Sequence, residues 1–336
     1  MKLWQGTRRG CAGVALLVAS LLGPACAAET IKISVIKAAS YGPFFVAQEK
    51  GYFTAEGLDV QFVFFEASPP IAVAVVSGDL DFGIGATSAA FFSLGDRLRI
   101  IGGFAREAPG FQGMTFVASN RGYAEGVKSL KDLANHSVAI GTIGSSPHYS
   151  LALIEEKYGI DPKSIRVLPL QTVSNQVSAL IGGQADAGVT IAAGLMPGVG
   201  RGELKLLGFM GDEVPWQLSS IFTATKTADD RRAMVERFLR AYRKGAHAYV
   251  DAFAGSDGKR RDGPTAPDIL AIAAKYVGQT PDELKTAIGY VDPEARVDAR
   301  DLQRQVDWYK AQGMLKGEVE ASAVIDKRYA VALPAR

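Results

Sequence analysis

The segment Gly141-Thr142-Ile143-Gly144-Ser145-Ser146-Pro147-His148-Tyr149-Ser150, GTIGSSPHYS, decides the fold. It follows the apolar run Val138-Ala139-Ile140 and leads into Leu151-Ala152-Leu153-Ile154. Strand, Gly/Ser turn, then helix is the reading, with Pro147 in the first helical turn, where its missing N–H costs nothing. The N–H groups at such a helix start have no intrahelical acceptor and favour an anion or a polar ligand atom.

The pattern occurs twice. Ser34 to Pro43, SVIKAASYGP, lies 104 residues upstream of Val138 to Pro147 and has the same apolar strand, small polar turn and proline. Each copy runs into a helix closed by a glycine, Gly51 or Gly159. At an offset of 105, Val76 to Ile84 parallels Ile181 to Val189, each after a short helical pattern at 69–77 or 174–182. Each half therefore reads β-α-β-α-β, and crossover helices predict a mostly parallel sheet. Two such halves make two lobes with a cleft between the carboxyl ends of their strands. Turns 38–43, 85–88 and 104–112 face turns 141–148 and 190–194 in this reading.

The apolar runs Met114-Thr115-Phe116-Val117-Ala118 and Ser219 to Ala224 carry the chain out to the second lobe and back. The expected division is 28–116 plus 222–336 for the first lobe and 117–221 for the second. Thr227 is the expected N-cap of a long helix through Val250, and helical patterns recur at 267–277, 281–289 and 298–312. Two crossing segments imply hinged closure.

The N-terminus has the form of an export signal. Lys2, Arg8 and Arg9 precede the apolar run Ala12 to Leu22, and Ala25-Cys26-Ala27 supplies small residues for cleavage, so 1–27 reads as a signal peptide. Lipid attachment at Cys26 ranks second, because Gly23-Pro24-Ala25 lacks the aliphatic position it needs. Without Lys2, Arg8 and Arg9, the 37 basic residues become 34 against 35 acidic ones. The basic excess thus belongs to the leader, and no nucleic-acid partner is implied. Both cysteines, Cys11 and Cys26, also lie there, so the mature chain is expected to have no disulfide and no thiolate nucleophile. An exported periplasmic protein is the expectation.

GTIGSSPHYS lacks the Lys-Ser/Thr of a phosphate-binding loop, the third glycine of a dinucleotide fingerprint and the Gly-x-Ser-x-Gly of a nucleophile elbow. What remains is a holding site. Ser145, Ser146 and Gly144 are candidate donors, and either serine can also serve as an ordinary N-cap. Thr87 and Ser88 carry the same two readings, and Ser40, Tyr41 and Gly42 occupy the matching turn of the first half. Arg106 follows the strand 98–104 and could give an anion its one full charge, or pair with Glu107 instead. Thr190 and Trp216 are candidate cleft walls, with core packing the alternative for Trp216. His148 lies near the turn, while His136 and His247 are scattered. No metal or cofactor motif accompanies them.

Four segments carry a family resemblance: SYGPFFVAQEKGYFTAEGLDV (40–60), SGDLDFGIGATSA (77–89), SLKDLANHSVAIGTIGSSPHYSL (129–151) and LIGGQADAGV (180–189). The chain resembles solute-binding proteins of ABC importers, in the branch that binds alkanesulfonates, taurine, nitrate and thiamine precursors. The resemblance implies an α/β, two-lobed type II periplasmic-binding-protein fold with two crossover segments. It implies a small-molecule ligand delivered to an inner-membrane ABC permease and ATPase complex by a monomer, with no cofactor and no catalysis. Ligand contacts are implied at Ser40-Tyr41, Thr87-Ser88 and Ser145-Ser146. Many relatives carry a Trp-Glu-Pro-like segment where this chain has Thr190-Ile191-Ala192-Ala193-Gly194, which fits cationic ligands less well. The fungal pyrimidine synthase of the family has a cysteine-rich segment that the mature chain lacks. A small organic anion, a sulfonate or an aromatic carboxylate, is the first expectation. A neutral pyrimidine or vitamin precursor is the second, and an enzyme of the same fold the third.

Overall fold

The computed structural model of the chain describes residues 1–2 and 28–334. The signal-peptide reading falls on residues 1–27, almost all of them outside the described residues.

The first eleven strands in chain order are β1 (Glu29–Ile36), β2 (Leu58–Phe65), β3 (Gly83–Ala86), β4 (Leu98–Gly103), β5 (Ala105–Arg106), β6 (Met114–Ser119), β7 (Ser137–Ile140), β8 (Arg166–Pro169), β9 (Ala187–Ile191), β10 (Leu204–Phe209) and β11 (Ser219–Ala224). In the first lobe β1 pairs in parallel with β2, and a parallel bridge from Ile33 to Phe82 joins them to the sheet β3-β11-β4. The spatial order is therefore β2-β1-β3-β11-β4. In the second lobe it is β8-β7-β9-β6-β10. The two orders match, which is the internal repeat in three dimensions.

The sheets differ from the parallel expectation in one respect. β11 runs antiparallel to β3 and β4, and β6 runs antiparallel to β9 and β10. Each of these strands arrives from the opposite lobe without a crossover helix, so nothing forces it parallel. β6 lies in the second sheet from Met114 onward and β11 in the first from Ser219 onward. By sheet membership the chain changes lobe about three residues before 117 and 222.

The expected helix from Thr227 is broken. A short helix Thr225–Asp230 precedes Arg232–Phe253, and Thr227 lies inside it rather than at a cap. The break falls at Arg231, whose guanidinium turns inward to Glu29 at 2.7 Å and to Asp81. Helix Arg232–Phe253 packs its apolar side on helix Gly42–Glu49, and the core between them is aromatic. Phe82 and Phe238 stack with centroids 3.9 Å apart, and Phe44 lies against Tyr242 at 5.0 Å. The C-terminal helix Ala299–Ala311 belongs to the first lobe through Leu302, Val306 and Tyr309. It also reaches the second, where Trp308 packs and Arg304 pairs with Glu156 at 2.7 Å.

The close helix pair sets where Gly42–Glu49 begins and so fixes one wall of the cleft. A Cβ at Gly245 would lie 2.1 Å from the carbonyl oxygen of Pro43. Gly245→Ala is expected to destabilise the protein by roughly 1–3 kcal/mol through overpacking. Urea unfolding checks this, and an unchanged midpoint would contradict the tight crossing.

Candidate functional site

A cleft of about 890 Å³, partly open to solvent, lies between the lobes. Among the described residues, the helices of eight or more residues that start at it include Gly42–Glu49 and Pro69–Ser77 from the first lobe and Ser146–Tyr158 and Val173–Ile181 from the second. Each follows a parallel strand, and each turns its N-terminal dipole toward the same space. In Ser146–Tyr158 the first intrahelical bond is Tyr149 N–H to Ser145 O at 3.0 Å, which leaves the N–H groups of Ser146 and His148 without an intrahelical acceptor. The walls are largely apolar: Tyr41 and Phe104 from one lobe, Met114, Val173 and Ile191 from the other. Among the described residues lining the cleft, Glu66 at the exposed rim is the only charged one.

Six of the residues singled out in the sequence line this cleft: Ser40, Tyr41, Ser88, Ser145, Ser146 and Thr190. Tyr41 presents its ring only, for its hydroxyl donates to Ile84 O at 3.0 Å in the core and its ring packs on Phe104. Ser145 Oγ donates back to Thr142 O at 2.6 Å and so shapes the turn. Ser88 caps the helix Ala89–Ser93 by accepting from Phe91 N–H at 3.3 Å.

The other six lie elsewhere. Thr87 is buried and donates to Gln305 Oε1 at 2.7 Å. Gly42 faces the helix behind it, where a Cβ would come within 2.6 Å of the Tyr249 ring. Gly144 has a φ of +75° and stands at a meeting point of the lobes, where its carbonyl accepts from Ala89 N–H at 3.1 Å. His148 Nδ1 accepts from Gly144 N–H at 3.1 Å and its ring packs edge-on to Trp308. Burial lowers the pKa of His148, which favours the neutral ring. Trp216 is a core residue of the second lobe, edge-on to Tyr149. Arg106 pairs with Asp298 at 3.4 Å, not with Glu107, and lines a smaller neighbouring chamber.

Sequence reasoning passed over Ser68, Gln171 and the buried Gln176, all in the cleft wall. They belong to the second strand-to-helix turn of each half, after β2 and after β8. The two helices there start 104 residues apart, at Pro69 and Val173, so the repeat that picked out the first turns carried the signal for these too.

The crossing segments form the floor. Leu218 N–H donates to Ala105 O at 3.1 Å and Glu107 N–H to Trp216 O at 2.8 Å, so the two segments are hydrogen-bonded to each other. The start of the C-terminal helix clamps them: Gln217 N–H donates to Asp301 at 2.8 Å, and Asp298 N–H donates to the Gln217 side chain at 2.7 Å. Burial raises the Asp301 pKa to about 6. Among the described residues no three metal-ligating side chains come together.

The NMT1/THI5-like family model matches residues 38–252, more than half of the chain. The chain belongs to the NMT1/THI5-like family. This bears out the resemblance read from the sequence. No curated protein sequence matches the chain. Among solved structures, the alkanesulfonate-binding protein SsuA from Xanthomonas axonopodis pv. citri, bound to MOPS, is similar at 17% identity and a TM-score of 0.69, over 88% of this chain and 97% of that one. The periplasmic nitrate-binding protein NrtA from Synechocystis PCC 6803 is similar at 13% identity and a TM-score of 0.67, over 88% and 84%. The desulfurization enzyme DSZB is similar at 13% identity and a TM-score of 0.63, over 90% and 96%. At these identities the likeness establishes the two-lobed periplasmic-binding-protein fold.

Glu107 gives the crossing segments a pH dependence. Its side chain is buried and accepts from Met114 N–H at 2.8 Å. Burial raises its pKa from 4.5 to about 8, against the pull of the Met114 and Gly211 N–H groups. A raised acid favours folding while protonated, so its contribution is full below about pH 4.5 and is lost as pH rises through about 8. Glu107→Gln keeps a neutral side chain of the same shape. The melting temperature of the native protein is expected to fall relative to that of Glu107→Gln as pH rises from 5 to 8.5. A constant difference across that range would show that Glu107 does not titrate there.

Proposed function

We propose that this protein is the periplasmic solute-binding component of an ABC importer, and that it captures a small organic anion, a sulfonate or an aromatic carboxylate, between its lobes. The observation that carries the reading is the convergence of four helix N-termini from both lobes on one apolar-walled cleft. The anionic head sits on the start of Ser146–Tyr158, against Ser145 and Ser146, with Ser40 and Ser88 opposite. The organic body lies on Tyr41, Phe104 and Ile191. Partial charges and hydroxyls do the work of a cation here, which suits a singly charged head. Closure excludes water and strengthens each hydrogen bond.

Micromolar affinity needs roughly −8 kcal/mol net. Charge-assisted hydrogen bonds at about 1.5–3 kcal/mol each and burial of an apolar body are of the right size to supply it. Family membership and the solved sulfonate- and nitrate-binding neighbours support this reading. The desulfurization enzyme among the neighbours keeps an enzyme as a competing class. A neutral pyrimidine is a second reading, favoured by the lack of a Lys or Arg among the described cleft-lining residues.

A thermal-shift screen over sulfonates, aromatic acids, nitrate and pyrimidines, followed by calorimetry on the hits, tests the proposal. The expected outcome is tight binding of an organic anion that is recovered chemically unchanged. Tight binding of a pyrimidine with no anion bound overturns the anion, and turnover of the ligand overturns the transport role. Ser146→Ala removes one hydroxyl from the head site and is expected to weaken binding about tenfold, the size of one charge-assisted hydrogen bond. An unchanged dissociation constant would move the head away from this helix.

A further inference from the structure

His148 stands where the two lobes meet, and it reaches the first lobe in two ways. Directly, its ring packs edge-on to Trp308 of the first-lobe helix Ala299–Ala311, with centroids 5.1 Å apart. Indirectly, it holds Gly144. The Gly144 N–H donates to His148 Nδ1 at 3.1 Å, and the Gly144 carbonyl accepts from Ala89 N–H of the first lobe, also at 3.1 Å. The lobes fit closely at this point. A Cβ on Gly144 would lie 3.1 Å from Ala89 Cβ and 3.3 Å from Met314 Sδ.

A backbone N–H can only donate, so its bond to Nδ1 requires a ring with no proton on that nitrogen. The neutral ring protonated at Nε2 meets this requirement. The imidazolium carries N–H on both nitrogens, so protonation sets two donors against each other and releases Gly144. The ring also lies in the first turn of Ser146–Tyr158, the positive end of a helix and a poor place for a cation. Burial acts in the same direction and lowers its pKa below 6.5. Nothing nearby holds a proton on the ring. On its own helix Glu155 and Glu156 lie about two turns away, and Glu156 is paired with Arg304 at 2.7 Å. On Ala299–Ala311, Asp301 and Asp307 act on Tyr149, and Lys310 pairs with Glu320 at 3.8 Å. The turn 141–145 and the helix Ala89–Ser93 carry no titratable side chain.

We propose that His148 is a proton-operated latch between the lobes. Neutral, it holds Gly144 in place to accept from Ala89 and keeps the lobes together. Protonated, it lets go of Gly144, the bond to Ala89 is lost and the lobes part. A solute is then held near neutral pH and released in acid. The latch is a property of the lobes and not of the solute, so it stands or falls separately from the capture proposed above.

The test uses the full mature chain without solute. Spin labels at Arg97→Cys and Lys163→Cys, exposed positions on the first and second lobes, report the separation of the lobes, and residues 28–336 contain no other cysteine. Double electron–electron resonance is expected to show closed lobes at pH 8 and a closed-to-open ratio about fivefold or more lower at pH 4.5, the size of an ordinary coupling between two linked sites. Circular dichroism confines the comparison to pH values at which the fold is intact. NMR of histidine-labelled protein is expected to give the Nε2–H tautomer for His148 at pH 8, and a titration midpoint below 6.5 that coincides with the opening of the lobes. His148→Gln offers a neutral amide oxygen in place of Nδ1 and is expected to abolish the pH dependence. It also separates His148 from Asp301, which titrates at about 6. Lobes whose separation is the same at every pH overturn the latch, whether closed or open throughout. So does a pH dependence that survives His148→Gln, or a His148 ring that titrates at 6.5 or above. If His148→Gln is open at every pH, the latch stands where the two midpoints of the native protein coincide and falls where they differ.

Discussion

A helix that joins two parallel strands has to run back against them, so each such helix begins where a strand ends. That constraint does most of the positioning in this protein. It gathers the carboxyl ends of β1, β2, β7 and β8 at the cleft, and with them the starts of four helices of eight or more residues. The site is built from backbone direction before any side chain is chosen. Side chains then set the distances. Gly245 lets Arg232–Phe253 come close to Gly42–Glu49, and Pro43 and Pro147 open helices at positions where no N–H is needed.

The lobes are tied as an exchange. β6 leaves the first lobe to become an inner strand of the second sheet, and β11 returns the favour in the first. Neither sheet is complete without a strand delivered from across the cleft. The crossing segments are consequently anchored at both ends by sheet hydrogen bonds. The residues between them, Glu107 and Gln217, are buried, with Glu107 N–H donating to Trp216 O and Gln217 N–H to Asp301.

Much of this architecture was legible in the sequence, and the reason is locality. Strand, turn and helix start are each written within about ten residues, as in Val138 to Tyr149, and a repeat shows that two such units share one plan. The antiparallel strands were not legible, because the pattern of Met114 to Ala118 reads the same whichever way the neighbouring strand runs. Partner choice was not legible either. Nothing near Tyr41 says that its hydroxyl serves Ile84, and nothing near Arg106 says that Asp298, far along the chain, will hold it. Trp216 was open between cleft wall and core, and Tyr149 on the helix Ser146–Tyr158 decides for the core. Thr227 carried a cap signal that lost to the ion pairs of Arg231 with Glu29 and Asp81. In each case a long-range contact overrides a short-range preference.

The hydrogen bond from Ala89 N–H to Gly144 O joins a helix start in one lobe to a turn in the other. Both groups belong to segments next to the cleft, yet neither appears in its wall. In the capture proposed above, a solute leaving the closed lobes waits for this bond to break and for water to take its place on both groups. How long the solute stays is therefore governed partly by a contact it never makes. Residence time and affinity become separable properties of the same cleft, one written in its lining and the other at its lip.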